Sequence, residues 1–313
     1  MCPGQGSQRP GMAAELLDRY ADAASPVFAM ADEVLGMPLT RLCVAGSAAE
    51  LRRTDVTQPA IVATSLAVLE VLRARGFAPA GAAGHSLGEY VALTAAGVLS
   101  AGSALQLVRR RGELMAEVGD RVPGVMVAVI GLPAERVAAL CGLVTGGGVA
   151  EVANYNDPTQ TVVSGHESSV EEVAAQALAA GAERVVRLAV GAPFHCSLMR
   201  EIEAEFAAEL DRHEFAEPSL PVLSAVTGGR VRTGAQARLL LRRQLTGPVR
   251  WVETLRHAAS TGYDVLVEAG PGRVLAGFAK RTTPELPVYG TGSARAIEAV
   301  LARLAATQPL NVH

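Results

Sequence analysis

The stretch Ala80-Gly81-Ala82-Ala83-Gly84-His85-Ser86-Leu87-Gly88-Glu89-Tyr90 decides the fold of this 313-residue chain. Its small apolar residues, 80–83, predict a strand, the Gly84-x-Ser86-x-Gly88 spacing predicts a sharp turn, and 89–97 continues as a helix. Glycines flank the turn because a Cβ there would collide with neighbouring backbone. Ser86 then lies near the positive end of the helix, which favours negative charge on an attacked carbonyl. The motif predicts a nucleophilic serine, and a plain glycine-rich turn is the alternative interpretation.

A serine at its ordinary pKa is a poor nucleophile, so Ser86 needs a base. Six histidines are available in the chain: His85, His166, His195, His213, His257 and His313. His85 directly precedes Ser86 and is expected to point away from it and to shape the pocket. His195 lies in a loop, 191–196, between two predicted regular elements. Functional residues concentrate in such loops, so His195 is the favoured base.

The composition favours an α/β fold. Half of the residues are hydrophobic, 19% are charged and only 4% are aromatic. Such a chain buries a large core, and Ala, Val and Leu in place of aromatic residues suit helices packed on a buried sheet. Apolar residues at helical spacing predict one of these helices over 59–75.

The sequence pattern changes between 122 and 190, where short elements alternate. Strands are predicted at 125–130, 149–153, 161–164 and 184–189, and helices at 134–141 and 169–180. This β-α-β-β-α-β order is that of a ferredoxin-like unit. Residues 1–121 and 191–313 are assigned to a larger α/β layer with further strands at 222–226 and 265–267. The segment 122–190 is therefore predicted to be an inserted subdomain.

The charge and cysteine patterns argue against several classes of protein. A net charge of -3 from 28 basic and 31 acidic residues disfavours nucleic-acid or membrane binding by bulk electrostatics. No apolar run approaches the roughly 20 residues of a membrane span. The scattered cysteines lack CxxC spacing, so neither a zinc site nor a disulfide framework is expected: Cys2, Cys43, Cys141 and Cys196. We expect a monomeric cytoplasmic protein with reduced thiols and no metal.

Six motifs occur in one order along the chain: Pro3-Gly4-Gln5-Gly6-Ser7-Gln8, Thr57-Gln58-Pro59-Ala60, Gly84-His85-Ser86-Leu87-Gly88-Glu89-Tyr90, Arg111-Gly112-Glu113-Leu114-Met115, Pro193-Phe194-His195 and Glu268-Ala269-Gly270-Pro271-Gly272. Together they resemble the malonyl-CoA:acyl-carrier-protein transacylase family, which includes the acyltransferases of polyketide synthases. The resemblance covers essentially the whole chain. It implies an α/β-hydrolase-like large subdomain with an inserted ferredoxin-like small subdomain, in agreement with the pattern above.

The resemblance implies that Ser86 is the acylated nucleophile and that His195 is its base. Backbone N–H groups of Gln5 and Leu87 would form the oxyanion hole, and the backbone carbonyl of Gln244 would orient the histidine. The family uses a serine–histidine dyad without an obligatory carboxylate. An ordinary hydrolase would instead use a carboxylate near a late predicted strand, and the two candidates are Asp264 and Glu268.

The same resemblance implies that Arg111 holds the free carboxylate of a malonyl group, for which a planar guanidinium is suited. Because Arg111 ends the basic run 109–111, a solvated helix arginine is the alternative interpretation. Phe194 is similar to the malonyl-type signature of polyketide acyltransferases, since a bulky ring crowds a substituent on the α-carbon, and ordinary loop packing is the alternative. Gln58 and His85 are expected beside the substrate.

The implied reaction moves malonyl from malonyl-CoA to the phosphopantetheine thiol of an acyl carrier protein, through a serine ester and with ping-pong kinetics. No cofactor of the enzyme's own is expected. The alternatives are a transferase for a substituted malonyl unit, an acyl-carrier-protein hydrolase or proofreading acyltransferase, and an inactive scaffold subunit. Basic residues that could steer an acidic carrier, or that are simply solvated, are Arg242, Arg243, Arg250, Arg273, Lys280 and Arg281.

One departure from the family concerns the first residues. Relatives generally place a short apolar strand ahead of the 3–8 turn, and Met1-Cys2 is expected to be too short to supply it. We therefore expect either a start further upstream or a shortened sheet edge, with a weaker anchor for the Gln5 loop.

Overall fold

The computed structural model describes residues 1–307, which form a mixed α/β fold. The helices of this range are α1 Ala14–Arg19, α2 Ala21–Leu35, α3 Leu39–Ala45, α4 Thr54–Arg73, α5 Gly88–Ala95, α6 Ala101–Arg121, α7 Ala134–Cys141, α8 Glu167–Ala179, α9 Glu203–Leu210, α10 Gly234–Arg243, α11 Trp251–Ser260, α12 Val274–Thr282 and α13 Ala294–Thr307. Its strands are β1 Ala82–Ala83, β2 Gly124–Ile130, β3 Ala150–Asp157, β4 Gln160–His166, β5 Arg184–Arg187, β6 Val222–Leu223, β7 Arg230–Val231, β8 Val249–Arg250, β9 Leu266–Glu268 and β10 Val288–Gly290. Short 3-10 helices cover Glu50–Arg52 and Ser197–Ile202.

The largest sheet within residues 1–307 has five strands, in the order β5-β2-β4-β3-β8. β2 pairs antiparallel with β4 and β5, β4 pairs antiparallel with β3, and β8 joins β3 in parallel. The strands and helices predicted between 122 and 190 are all present, with ends shifted by a few residues. β8 was not anticipated because two residues carry no periodicity. It ties the segment 122–190 to the rest of the chain.

The strands next to the Ser86 turn are shorter than their sequence patterns predict. β1 covers only the last two residues of predicted strand 80–83 and pairs in parallel with β6. β6 ends at Leu223 instead of 226, because the chain turns back after Ser224, whose carbonyl accepts the Gly228 N–H at 2.8 Å.

Met1 and Cys2 bridge β1 and β9 by single hydrogen bonds and form no strand of their own, which is the shortened sheet edge expected as one of the two alternatives. The Cys2 N–H donates to the Ala83 carbonyl at 2.9 Å on one side. On the other side, the Met1 amino group donates to the Val267 carbonyl at 2.7 Å. Met1 and Cys2 thus place the following turn, residues 3–8, beside the turn that carries Ser86.

Helix α4 forms the centre of the larger layer, and nearly all of its side chains are buried. It begins at Thr54 instead of 59, with Pro59 inside it. Proline cannot donate to the Asp55 carbonyl, and Arg109 Nη1 donates to that carbonyl instead, at 2.7 Å. Contrary to the sequence expectation, α4 is long and apolar enough to cross a membrane, but 94% of its apolar stretch is buried inside the protein.

Replacing Arg109 by alanine should destabilise the fold more than replacing its neighbour Arg110. Arg109 supplies the hydrogen bond that Pro59 cannot, and a half-buried carbonyl left without a partner costs about 1–2 kcal/mol. Arg110 forms ion pairs with Glu113 and Glu205 near the surface, which contribute about 0–1 kcal/mol. Urea unfolding of both variants measures the two free energies, and equal losses would contradict this role of Arg109.

Candidate active site

Ser86 lies on the tight turn between β1 and α5, with a backbone φ of 53°. A left-handed φ is strained for a residue other than glycine, and such strain is common at active sites. A Cβ added at Gly84 would collide with the backbone of Gly88, and one added at Gly88 would collide with the Cys2 carbonyl. Both flanking glycines are therefore required, as the sequence pattern predicts.

The His195 imidazole faces Ser86 in the buried interior of the protein. Its Nε2 lies 2.7 Å from the Ser86 hydroxyl oxygen, and its Nδ1 lies 2.8 Å from the backbone carbonyl of Gln244. Because a carbonyl only accepts, Nδ1 carries the proton and Nε2 is free to accept the serine O–H. The structure thus brings together the predicted serine, the predicted base and the predicted carbonyl.

The surroundings of His195 keep the imidazole neutral. Burial, and secondly the Arg111 cation, lower its pKa from the ordinary value of 6.5 to about 3. No carboxylate within residues 1–307 hydrogen-bonds to the imidazole. Glu268 instead accepts backbone N–H groups at the start of α12, at 2.8 and 3.1 Å. The triad that Asp264 or Glu268 would complete in an ordinary hydrolase is therefore not formed in this part of the chain.

Arg111 is buried behind Ser86, with 2% of its surface exposed, so the interpretation of a solvated helix arginine is wrong. Its Nη1 donates to Gln58 Oε1 at 2.8 Å. Its Nη2 donates to Ser86 Oγ at 3.2 Å and to Gln244 Oε1 at 3.1 Å. These acceptors are all neutral, and within residues 1–307 the guanidinium contacts no carboxylate and its Nε has no partner. Burying a cation without an anionic partner is costly, so an anion that binds here relieves that cost.

Glu89 belongs to the site although the sequence pattern shows it only as the first turn of a helix. Its buried carboxylate accepts the Gln244 Nε2–H at 2.8 Å, and the same Nε2 donates to the Ser86 carbonyl at 3.2 Å. Burial raises the pKa of Glu89 to about 7, opposed by hydrogen bonds to the carboxylate and by the Arg111 cation. Its partner Gln244 is 155 positions away, and no local spacing signals that contact.

Backbone donors without a partner in residues 1–307 lie on the turns that meet at Ser86. Gly4 packs against the His85 carbonyl, which sets the 3–8 turn beside the serine. The N–H groups of Gln5 and Leu87 donate to no group of residues 1–307. Leu87 directly precedes α5, where the helix dipole is positive. Such donors are what an oxyanion hole requires.

The half-buried His85 and the buried Phe194 each lie next to one member of the Ser86–His195 pair in the chain. The His85 Nε2 lies 2.9 Å from Asn156 Oδ1, and its ring stands edge-on to Trp251 at 5.6 Å. The His85 ring therefore links the turn to β3 instead of serving Ser86. Phe194 packs in the main apolar cluster, directly before His195. The other described histidines interact elsewhere, and His313 lies outside the described residues: His166, His213 and His257.

A cavity of about 410 Å³ lies away from this centre, between β1, β9 and α11. Ala82 and Leu266 line it, whereas Ser86, His195 and Arg111 do not. The candidate reacting groups therefore do not line this cavity, and their chemistry indicates the active site where cavity size does not.

A serine hydroxyl bonded to a neutral, buried imidazole, with unpaired backbone donors beside it, is typical of enzymes that transfer acyl groups. Residues 1–304 match the family described as the acyl transferase domain. The chain belongs to this acyl transferase family, which confirms the resemblance carried by the six motifs.

Individual relatives match over nearly their whole length. The malonyl CoA-acyl carrier protein transacylase of Escherichia coli strain K12 is 39% identical over 300 residues, covering 96% of this chain and 97% of the relative. The solved transacylase of the same name from Coxiella burnetii gives a TM-score of 0.93 at 34% identity, covering 97% of this chain and 96% of that one. A malonyl-transacylase solved in complex with a type II polyketide synthase acyl-carrier protein gives 0.92 at 39% identity, covering 96% and 97%. The mixed α/β fold is shared with these enzymes.

The reactivity of Ser86 should not depend on pH across the ordinary titration range of histidine. Because the pKa of His195 is lowered to about 3, the neutral imidazole persists as pH falls through 6.5. We expect the rate of Ser86 labelling by a sulfonyl fluoride, followed by intact mass, to stay level from about pH 8 to about pH 5. Ser86→Ala is the control that takes no label. A rate that halves near 6.5 would contradict the neutral, buried imidazole.

Proposed function

We propose that this chain transfers a malonyl group from malonyl-CoA to the phosphopantetheine thiol of an acyl carrier protein, through an ester on Ser86. The observation that carries the proposal is the buried Arg111 guanidinium, 3.2 Å from the Ser86 oxygen and without a carboxylate partner in residues 1–307. A malonyl thioester offers a carboxylate for this cation and a carbonyl for the serine. Relatives named as malonyl transacylases support the same substrate.

In the first half-reaction, Ser86 Oγ attacks the thioester carbonyl and gives its proton to His195 Nε2. The hydrogen bond from His195 Nδ1 to the Gln244 carbonyl holds the imidazolium that forms. The N–H groups of Gln5 and Leu87 stabilise the oxyanion. The tetrahedral intermediate then expels the coenzyme A sulfur, which takes the proton from His195, and a malonyl ester remains on Ser86.

In the second half-reaction, the thiol of the carrier's phosphopantetheine gives its proton to His195 and its sulfur attacks the ester. Collapse of the intermediate returns the proton to the Ser86 oxygen and leaves a malonyl thioester on the carrier. Two half-reactions through one covalent intermediate give ping-pong kinetics. Neither half needs a cofactor of the enzyme's own, because the phosphopantetheine arm belongs to the partner.

Intact-protein mass spectrometry after exposure to malonyl-CoA tests the proposal. We expect the wild-type protein to gain one malonyl group, Ser86→Ala to gain none, and the adduct to pass to a holo carrier protein added afterwards. A hydrolase would release malonate without charging the carrier, and an inactive scaffold would gain no mass. Either result would overturn the proposal.

Phe194 supports a preference for unsubstituted malonyl. Its buried ring directly precedes His195, so it would crowd a branch on the malonyl α-carbon. One extra methylene is discriminated by about 1–3 kcal/mol, so a methylmalonyl unit would react roughly ten to two hundred times more slowly. Gln58 accepts a hydrogen bond from the Arg111 guanidinium, so it would help to position the group that binds the malonyl carboxylate.

The carrier protein would meet the enzyme at basic side chains near the site. Arg242, Arg250 and Arg281 already form ion pairs with Glu203, Glu253 and Asp157. Of the six candidate basic residues, the three that are exposed and form no ion pair inside residues 1–307 are Arg243, Arg273 and Lys280. Arg243 directly precedes Gln244, which makes it the strongest candidate to attract an acidic carrier.

We also propose that 122–190 is an inserted ferredoxin-like subdomain and that 1–121 and 191–313 form the α/β-hydrolase-like one. The order β5-β2-β4-β3, all antiparallel, and a separate apolar cluster drawn only from residues 125–185 support this division. A monomeric state and a cytoplasmic location stay predictions from the sequence.

Replacing Arg111 by alanine should lower kcat/KM for malonyl-CoA by about a hundredfold or more, because a buried charge-assisted pair with the carboxylate is lost. The slow transfer of acetyl from acetyl-CoA has no carboxylate to lose and should fall far less. Arg111→Lys is the matched control, since it keeps the charge without the planar fork and should be intermediate. Equal losses for both acyl groups would mean that Arg111 serves the serine and not the substrate.

A further inference from the structure

Glu89 is a buried carboxylate that the reaction above does not use. Only 1% of its surface is exposed, and it lies in the first turn of α5, directly behind Ser86. Its surroundings come from three parts of the chain: Gln244 at the end of α10, the Ser224 and Ala225 groups after β6, and the Arg111 cation of α6. A carboxylate placed in the middle of these elements needs a reason, because burying it costs free energy.

We propose that Glu89 is a positioning residue for the malonyl-binding arginine, because its carboxylate sets the orientation of the Gln244 side-chain amide that holds Arg111. The proposal rests on the proposed malonyl transfer. It assigns to Glu89 a role in substrate selectivity that acts through Gln244 and without contact with the substrate.

The direction of the Gln244 amide follows from the chemistry of its neighbours. A carboxylate only accepts hydrogen bonds and a guanidinium only donates them. Gln244 Nε2 donates to Glu89 at 2.8 Å, so Oε1 is left to accept from Arg111 Nη2 at 3.1 Å. The reversed amide would set an oxygen against the carboxylate and an amino group against the guanidinium. Glu89 therefore favours, together with Arg111 and the Ser86 carbonyl, one of the two orientations of the Gln244 amide.

The same amide reaches the catalytic turn. Gln244 Nε2 also donates to the Ser86 carbonyl at 3.2 Å, while its backbone carbonyl accepts from His195. The side chain of Gln244 thus serves Arg111, and the backbone of Gln244 serves His195. Loss of the side-chain orientation should impair binding of the malonyl carboxylate more than it impairs the serine–histidine chemistry.

The indirect arrangement keeps the arginine available. A carboxylate in direct contact with Arg111 would occupy the guanidinium and compete with the substrate. With the Gln244 amide between them, the ionised form of Glu89, which predominates above its pKa of about 7, contributes a negative charge nearby and leaves the Arg111 Nε without a partner in residues 1–307. The positive charge of Arg111 is therefore balanced in part, and the guanidinium can still bind an anion.

The test compares malonyl and acetyl transfer in Glu89→Gln, which has nearly the same shape. We expect kcat/KM for malonyl-CoA to fall about tenfold, mainly through KM, and that for acetyl-CoA to fall less than about threefold. Glu268→Gln is the matched control, because Glu268 is equally buried but accepts backbone N–H groups of α12. It should change the melting temperature without changing the ratio of malonyl to acetyl transfer.

A double substitution shows whether Glu89 acts through the amide. Gln244→Met removes the amide and keeps the backbone carbonyl, and it should lower the malonyl-to-acetyl ratio by itself. In that background Glu89→Gln should have no further effect on the ratio. If the two effects multiply, or if Gln244→Met leaves the ratio unchanged, the proposal is overturned, even where Glu89→Gln does not fold. If the wild-type protein forms no malonyl ester, the proposed function itself has failed.

Discussion

The hydrogen bond between His195 Nδ1 and the Gln244 carbonyl sets the chemistry of the whole site. At 2.8 Å it assigns the ring proton to Nδ1 and leaves Nε2 as the acceptor that faces the Ser86 hydroxyl. A backbone carbonyl can do this without a carboxylate because burial already keeps the imidazole neutral. A carboxylate in its place would raise the basicity of the imidazole and add a second anion near the malonyl carboxylate. The dyad therefore suits an anionic substrate better than a triad would.

Arg111 and His195 share this buried space, and each affects what the other can do. The Arg111 cation opposes protonation of the imidazole, and burial lowers the pKa of Arg111 itself. Neutral oxygens hold the guanidinium in place without cancelling its charge. The protein thus bears the cost of a poorly paired cation, which the substrate carboxylate would offset in the proposed reaction. This is how a carboxylate remote from the reacting carbonyl can contribute to recognition.

The sequence is enough to find Ser86 and His195, because a glycine-flanked turn and a loop position leave local signals. The burial of Arg111 could have been predicted from helical spacing, because Arg111 lies four residues after Leu107 and four before Met115, on the buried face of α6. The basic run 109–111 suggested a solvated face instead. The sequence gives no local indication of the role of Glu89, since its partners come from distant parts of the chain. Two further features left no signal in the sequence, the pairing of Met1 and Cys2 with their neighbours and strand β8, because one or two residues carry no periodic pattern. The local sequence pattern predicts helices and strands. Which polar side chains face each other is decided by the tertiary packing, which the local pattern does not show.

Strand β3 explains how a segment predicted as an insert can belong to the catalytic unit. Its Asn154 pairs with Val249 of β8, which follows Gln244 by a short loop. Its Asn156 binds His85, the residue before Ser86, on the same strand. One strand therefore holds both the chain that carries the Gln244 carbonyl and the turn that carries the serine. A displacement of β3 would move the Gln244 carbonyl and Ser86 together. Their contacts with the imidazole, at 2.8 and 2.7 Å, are therefore preserved only while the sheet stays joined.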